Sequence, residues 1–182
     1  KDGYTPTAPG VYNAHIIELR SRELDDKVVF NFRIRLAEEV AKLSVPQYSK
    51  DGDGDEPQIV KDNVGKAVMV SADYMVGREF ESRGIWFTSV PPPKERWRNR
   101  DYKEFCEKVG VVFPTNKENE TQLGEIEESD VLGLPLLAKV GTYEYKNKKT
   151  GKVTKQMKVL SAHPWHDGKR LKPEELEADA PF

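Results

Sequence analysis

Cysteine is all but missing from this chain. Cys106 stands alone among 182 residues, which excludes an intrachain disulfide and any zinc site built from several thiolates. Histidine is nearly as scarce, with His15, His163 and His166 the whole supply. Pro164-Trp165 between the last two reads as a turn, and no third ligand can be named, so no metal is expected. No apolar run approaches the roughly 18 residues needed to cross a bilayer, and no signal-peptide pattern opens the sequence. The phosphate-cradling GxxxxGK and GxGxxG patterns are absent, as is the GxSxG elbow. Carboxylates are many, yet none has a spacing that recommends a nuclease centre, and Cys106 reads as core. Asp51-Gly-Asp-Gly-Asp55-Glu56 begins like a calcium loop, but Glu56 stands where glycine is needed and Asp62 where glutamate is. These absences argue against an enzyme, a cofactor and a membrane. They favour a binding protein in a reducing, cytoplasmic setting.

What is present suits strands and turns. Twelve prolines and thirteen glycines are spread along the chain, and only 37% of residues are hydrophobic. Val11 to Arg20 and Val28 to Leu36 read as the first two strands. In the second, Phe30, Phe32, Ile34 and Leu36 alternate with Val29, Asn31, Arg33 and Arg35, the period-two signature of a half-buried strand. Residues 41–63 read as a mobile polar loop. Strands are then expected over Lys66–Tyr74 and Gly77–Ser89. Tyr102, Phe105, Cys106 and Val109 recur at helical spacing, and Gly110 sits where a helix C-cap belongs. After a second loop, 114–129, strands Leu134–Tyr145 and Val153–Ala162 flank a turn at Asn147–Gly151. Five or six strands with one helix is the element order of an OB-type barrel. That barrel is expected over residues 1–163, with an extended acidic tail over 164–182.

The net charge of −2 hides a strong polarity. All 29 Lys and Arg precede Pro173, whereas Glu174, Glu175, Glu177 and Asp179 follow it. Positive charge gathers in two stretches that also carry aromatic rings. Lys94 to Lys103 holds Arg96, Trp97, Arg98, Arg100, Tyr102 and Lys103, and Trp97 lies off the apolar helix face. The second stretch holds Tyr143, Tyr145, Lys146, Lys148, Lys149 and Lys152. Lys139, Tyr143 and Tyr145 share one face of their strand, opposite Leu136, Ala138 and Val140. A single strand of nucleic acid exposes phosphates and unstacked bases, so a binder needs cations for one and flat rings for the other. Arg33, Arg35 and Trp86 join the candidate contacts on the same reasoning. The competing assignment treats these patches as solubility features of a non-DNA adaptor with an OB-like or β-sandwich domain.

The segment Asp179-Ala-Pro181-Phe182, preceded by Glu174, Glu175 and Glu177, is similar to the acidic tip of bacterial single-stranded DNA-binding proteins. Gly10-Val-Tyr12, Gly77-Arg-Glu-Phe80, Val109-Gly110 and Asp130-Val-Leu-Gly133 make the body resemble the tailed-phage branch of such proteins. That resemblance implies an OB fold and sequence-independent coating of single strands in replication and recombination. It also implies contact with a DNA polymerase or helicase through Glu174, Glu175, Glu177, Asp179, Pro181 and Phe182. The setting would be the host cytoplasm, and a homodimer is among the assemblies it allows.

Overall fold

The computed structural model describes residues 4–50, 56–89 and 99–177. These are mainly β. The first hairpin joins β1 (Gly10–Leu24) to β2 (Lys27–Leu36) around Asp25-Asp26. The expected alternation in β2 holds: Phe30, Phe32, Ile34 and Leu36 are buried while Asn31, Arg33 and Arg35 face outward. Val29 shares the outward face yet is buried. Gly84 comes so close that a Cβ there would lie 2.9 Å from a Val29 methyl.

Within residues 41–63, expected as a mobile loop, the described residues include short strands, while 51–55 lie outside the described residues. A 3-10 turn at Glu38–Lys42 leads to β3 (Ser44–Pro46), β4 (Tyr48–Ser49) and β5 (Gln58–Ile59). The strand expected over Lys66–Tyr74 shrinks to β6 (Met69–Ser71), which pairs with β3 outside the main sheet. Its end has a local cause, because the Ser71 hydroxyl accepts from the Asp73 N–H and starts a 3-10 turn over Ala72–Met75. Asp62, at the last position of the failed calcium motif, has one carboxylate oxygen that accepts from the Val64 and Lys66 amides, both at 2.9 Å. The next expected strand is broken into β7 (Glu79–Glu81) and β8 (Ile85–Phe87).

Helix α1 (Arg100–Val109) buries the face expected of it. Tyr102, Phe105, Cys106 and Val109 all point into the core, and Gly110 caps the helix at φ 86°. Phe105 stacks on Phe32 at 4.8 Å between centroids, and Tyr102 meets Phe87 at 4.5 Å. The Tyr102 hydroxyl donates to the Gly124 carbonyl and accepts from the Ile126 amide, tying the following loop to the helix. Burial pushes the Cys106 thiol up to about 12, so it stays protonated and inert as a nucleophile. A short α2 (Glu128–Val131) precedes β9 (Pro135–Lys146) and β10 (Val153–His163), and α3 (Pro173–Glu177) comes last.

Among the described residues the main sheet runs β10-β9-β1-β2-β7, with β8 also on β2. Bulges at Ile16/Glu18 and Val159/Ser161 bend the long strands. The curl brings the edges together at one parallel bridge, Ser82 with Val159. One bridge does not close the sheet, and among the described residues it is not a closed barrel. Between β8 and β10 the backbone leaves a cleft of about 210 Å³, lined by Arg83, Ile85, Phe105 and Leu160 among others.

Candidate nucleic-acid interface

The outer face of this sheet divides into a covered half and a bare half. Glu79 of β7, Arg35 of β2, His15 of β1 and Pro135 of β9 stand in register as one row across four strands. The chain after β10 crosses that row. The Trp165 ring lies 5.4 Å from the His15 ring, and His15 Nε2 donates to the Lys169 carbonyl at 3.0 Å. Arg170 donates to the carbonyls of Ser129 and Leu132 at 2.8 and 2.9 Å. The Leu171 amide donates to the Gly133 carbonyl, and Arg35 reaches the Leu176 carbonyl at 3.4 Å. Gly133 is what allows so close a pass: its φ is 79°, and a Cβ there would lie 2.5 Å from the Leu171 oxygen. Residues 164–177, expected as an extended tail, are thus docked on the body. Burial lowers the pKa of His15, against weaker upward pulls from the Lys169 carbonyl, Glu39 and Glu175.

Farther along the same strands Arg20, Arg22 and Trp86 are exposed, while Val29 between the last two is buried. Val29 has Arg22 opposite it on β1 and Trp86 opposite it on β8. Trp86 is 49% exposed, and the Lys27 ammonium sits 3.8 Å over its ring. Asn31 faces Arg20, and Arg33 pairs with Glu18 at 3.5 Å. The hydrogen bond from Arg20 lowers the Glu18 pKa, so that carboxylate stays ionised beside both arginines.

Arg83 joins this surface to the β9–β10 hairpin. From the break between β7 and β8 it donates to the Leu160 carbonyl at 3.3 Å, and its guanidinium stands 5.8 Å from the Tyr143 ring. Lys158 approaches the same ring at 5.8 Å. Tyr143, Tyr145, Thr154, Gln156 and Lys158 line a cleft of about 270 Å³ on the hairpin's outer side. On its other side Lys155 pairs with Glu56. Cations and rings thus stand on β1, β2 and β8 and again on the β9–β10 hairpin, with Arg83 reaching across the cleft between β8 and β10. These cations can hold phosphates and these rings can stack bases.

The structure gathers some of the sequence-derived candidates and separates others. Trp86, Tyr143 and Tyr145 lie on the bare half, with exposed Lys146, Lys148, Lys149 and Lys152 around the hairpin tip. Lys139 is exposed on β9, farther down the same face. Arg33 is on the bare half but tied to Glu18, while Arg35 is under the covered half and pairs with Glu79 at 3.5 Å. Arg100 and Lys103 are exposed on α1 and pair with Asp101 and Glu107, at 3.7 Å each. Glu174, Glu175 and Glu177 are exposed on α3. Arg96, Trp97, Arg98, Asp179, Pro181 and Phe182 lie outside the described residues.

Sequence reasoning missed Arg20, Arg22, Lys27, Arg83, Gln156 and Lys158. The spacing Arg20-Ser-Arg22 at the end of β1 was a usable period-two signal. Arg83 gave none, because only the curl of the sheet carries it to Tyr143. Among the described residues no group of three or more His, Cys, Asp and Glu is placed to hold a metal ion. No protein-family model, curated protein or solved structure matches this chain.

Proposed function

We propose that the protein binds single-stranded DNA, without regard to sequence, across the bare half of its sheet. The observation that carries this reading is the coupling of cations to an exposed ring, Trp86, and a half-buried one, Tyr143. Lys27 lies on Trp86, and Arg83 and Lys158 flank Tyr143. Phosphates would be met by Arg20, Arg22, Lys27, Arg83, Lys158 and the lysines of the hairpin tip, and bases by Trp86, Tyr143 and Tyr145.

An OB-type architecture is part of the proposal. It is supported by the order β10-β9-β1-β2-β7, helix α1 between β8 and β9, and the parallel bridge from Ser82 to Val159. In such a fold this surface and its flanking loops are where oligonucleotides lie. The same proposal includes a replication or recombination role in a phage setting. There the acidic Glu174, Glu175 and Glu177 would meet an enzyme such as a polymerase or helicase. The adaptor reading draws on a different region: Leu43, Ile59, Val64 and Met69 are exposed apolar side chains in and around the β3–β6 arm.

Titration with oligo-dT, followed by tryptophan fluorescence, separates the two. Trp86 is exposed whereas Trp165 is packed on His15, and comparison with Trp97→Phe separates the Trp86 signal from that of Trp97. Each phosphate neutralised on a single strand contributes about −0.7 to the slope of log K against log salt, so four to six contacts give roughly −3 to −4. A preference for duplex, or an affinity flat in salt, overturns the proposal.

A further inference from the structure

The two tyrosines of the β9–β10 hairpin are spaced for one nucleobase. Tyr143 and Tyr145 stand two residues apart on one face of β9. A strand rises roughly 3.3 Å per residue, so the two rings leave it about 6.6 Å apart. Stacked bases repeat at about 3.4 Å, so a single base with a ring on each face fills that interval and two bases do not.

The surroundings make the interval one-sided. Toward the body, Tyr143 is flanked by Arg83 and by Lys158, which springs from the position opposite Gly141. Gly141 has no side chain to occupy that space, and Leu160 already fills it: a Cβ on Gly141 would lie 2.8 Å from a Leu160 methyl. The Tyr143–Tyr145 interval opens on the cleft of about 270 Å³, which Thr154, Gln156 and Lys158 also line. Gln156 stands opposite Tyr143 and Thr154 opposite Tyr145. The amide offers two donors and an acceptor, and the hydroxyl offers one donor with acceptor capacity.

We infer that the cleft between Tyr143 and Tyr145 is a slot for one unstacked base of a bound single strand. The base is held by a ring on each face, its edge meets Gln156, and Lys158 or Arg83 meets the neighbouring phosphate. An amide that can turn over matches either order of donor and acceptor, so the slot tolerates different bases. This inference rests on the single-strand reading above and adds to it: two rings serve one nucleotide, not two.

The test scans a single 5-iodouracil through oligo-dT of the shortest length that binds, with photo-crosslinked residues mapped by mass spectrometry. The inference expects the crosslinking profiles of Tyr143 and Tyr145 to peak at the same nucleotide. Tyr143→Ala and Tyr145→Ala should each weaken binding about 5- to 150-fold, and the Phe variants should stay within about threefold of the parent. Profiles offset by one nucleotide overturn the slot and leave the single-strand reading intact. So does an oligonucleotide that binds without crosslinking to either ring. Failure of the parent protein to bind oligo-dT overturns the function reading first, and the slot with it. Circular dichroism of each variant separates lost contact from lost fold.

Discussion

One curled sheet carries two outer surfaces with opposite fates. At the Glu79–Arg35–His15–Pro135 row the chain lays its own residues 164–177 over the strands. Four to eight residues back along β2, the same outward alternation runs through Asn31, the buried Val29 and Lys27 to the exposed Trp86 opposite Val29. Strand pattern alone does not distinguish the halves, since both turn arginines outward. What differs is the third layer. The covered half has Gly133 to admit a passing backbone and His15 to receive Trp165, whereas the bare half has rings matched to cations. An outward arginine is therefore a weaker candidate for ligand contact where the chain's own later segment lies over it, as over Arg35.

The largest expected effect removes support from beneath both halves. Phe32 is buried and stacked on Phe105, so Phe32→Ala should cost about 3–5 kcal/mol in urea unfolding. A loss below about 1 kcal/mol would mean that α1 does not pack on β2 as described. Gly133→Ala attacks the covered half alone. Its positive φ and the crowding against Leu171 predict a destabilisation of about 1–3 kcal/mol and easier proteolysis within 164–177, with affinity for oligo-dT unchanged. Affinity that fell in step with proteolysis would show that the halves are not independent.

Trp86→Ala is the reverse experiment. It should lower affinity by about 1–3 kcal/mol, the worth of one stacked base, while the melting temperature stays close to that of the parent. Unfolding of this variant would move Trp86 from ligand contact to core.

The smallest effect is a pH dependence confined to the covered half. Unfolded His15 titrates near 6.5, and burial holds its folded value lower. Below about 6.5 the unfolded chain takes up the proton first, so the stability tied to neutral His15 is complete above that pH and declines as pH falls beneath it. Melting temperatures near pH 7.5 and 5.5 should differ in the parent and differ less in His15→Gln. Equal differences in the two proteins would remove His15 as the cause.

Much of the fold was legible because it rests on short-range periodicity. The alternation through Phe30 to Leu36 and the helical spacing of Tyr102, Phe105, Cys106 and Val109 each report one buried face, and both are observed. The long hairpin was legible from Asn147 to Gly151, which form its turn. The arm over residues 44–71 was not, because strands of two or three residues carry too few positions for a period to emerge. The docked segment was hidden for another reason. Lys169, Arg170 and Leu176 meet their partners largely through backbone carbonyls and arginine forks, which leave no hydrophobic pattern. At the candidate interface, Tyr143 and Tyr145 were found by strand parity. Arg83 was not, since its tie to Leu160 spans 77 positions of sequence.

The claim that single strands lie on the bare half is tested most directly by ultraviolet crosslinking of bound oligo-dT with mass-spectrometric mapping of the attached peptides. Crosslinks should fall on Trp86, Tyr143 and Tyr145, and the peptide carrying Trp165 should stay unmodified. Crosslinks confined to Trp165 and the residues around it would place the strand on the covered half and contradict the claim.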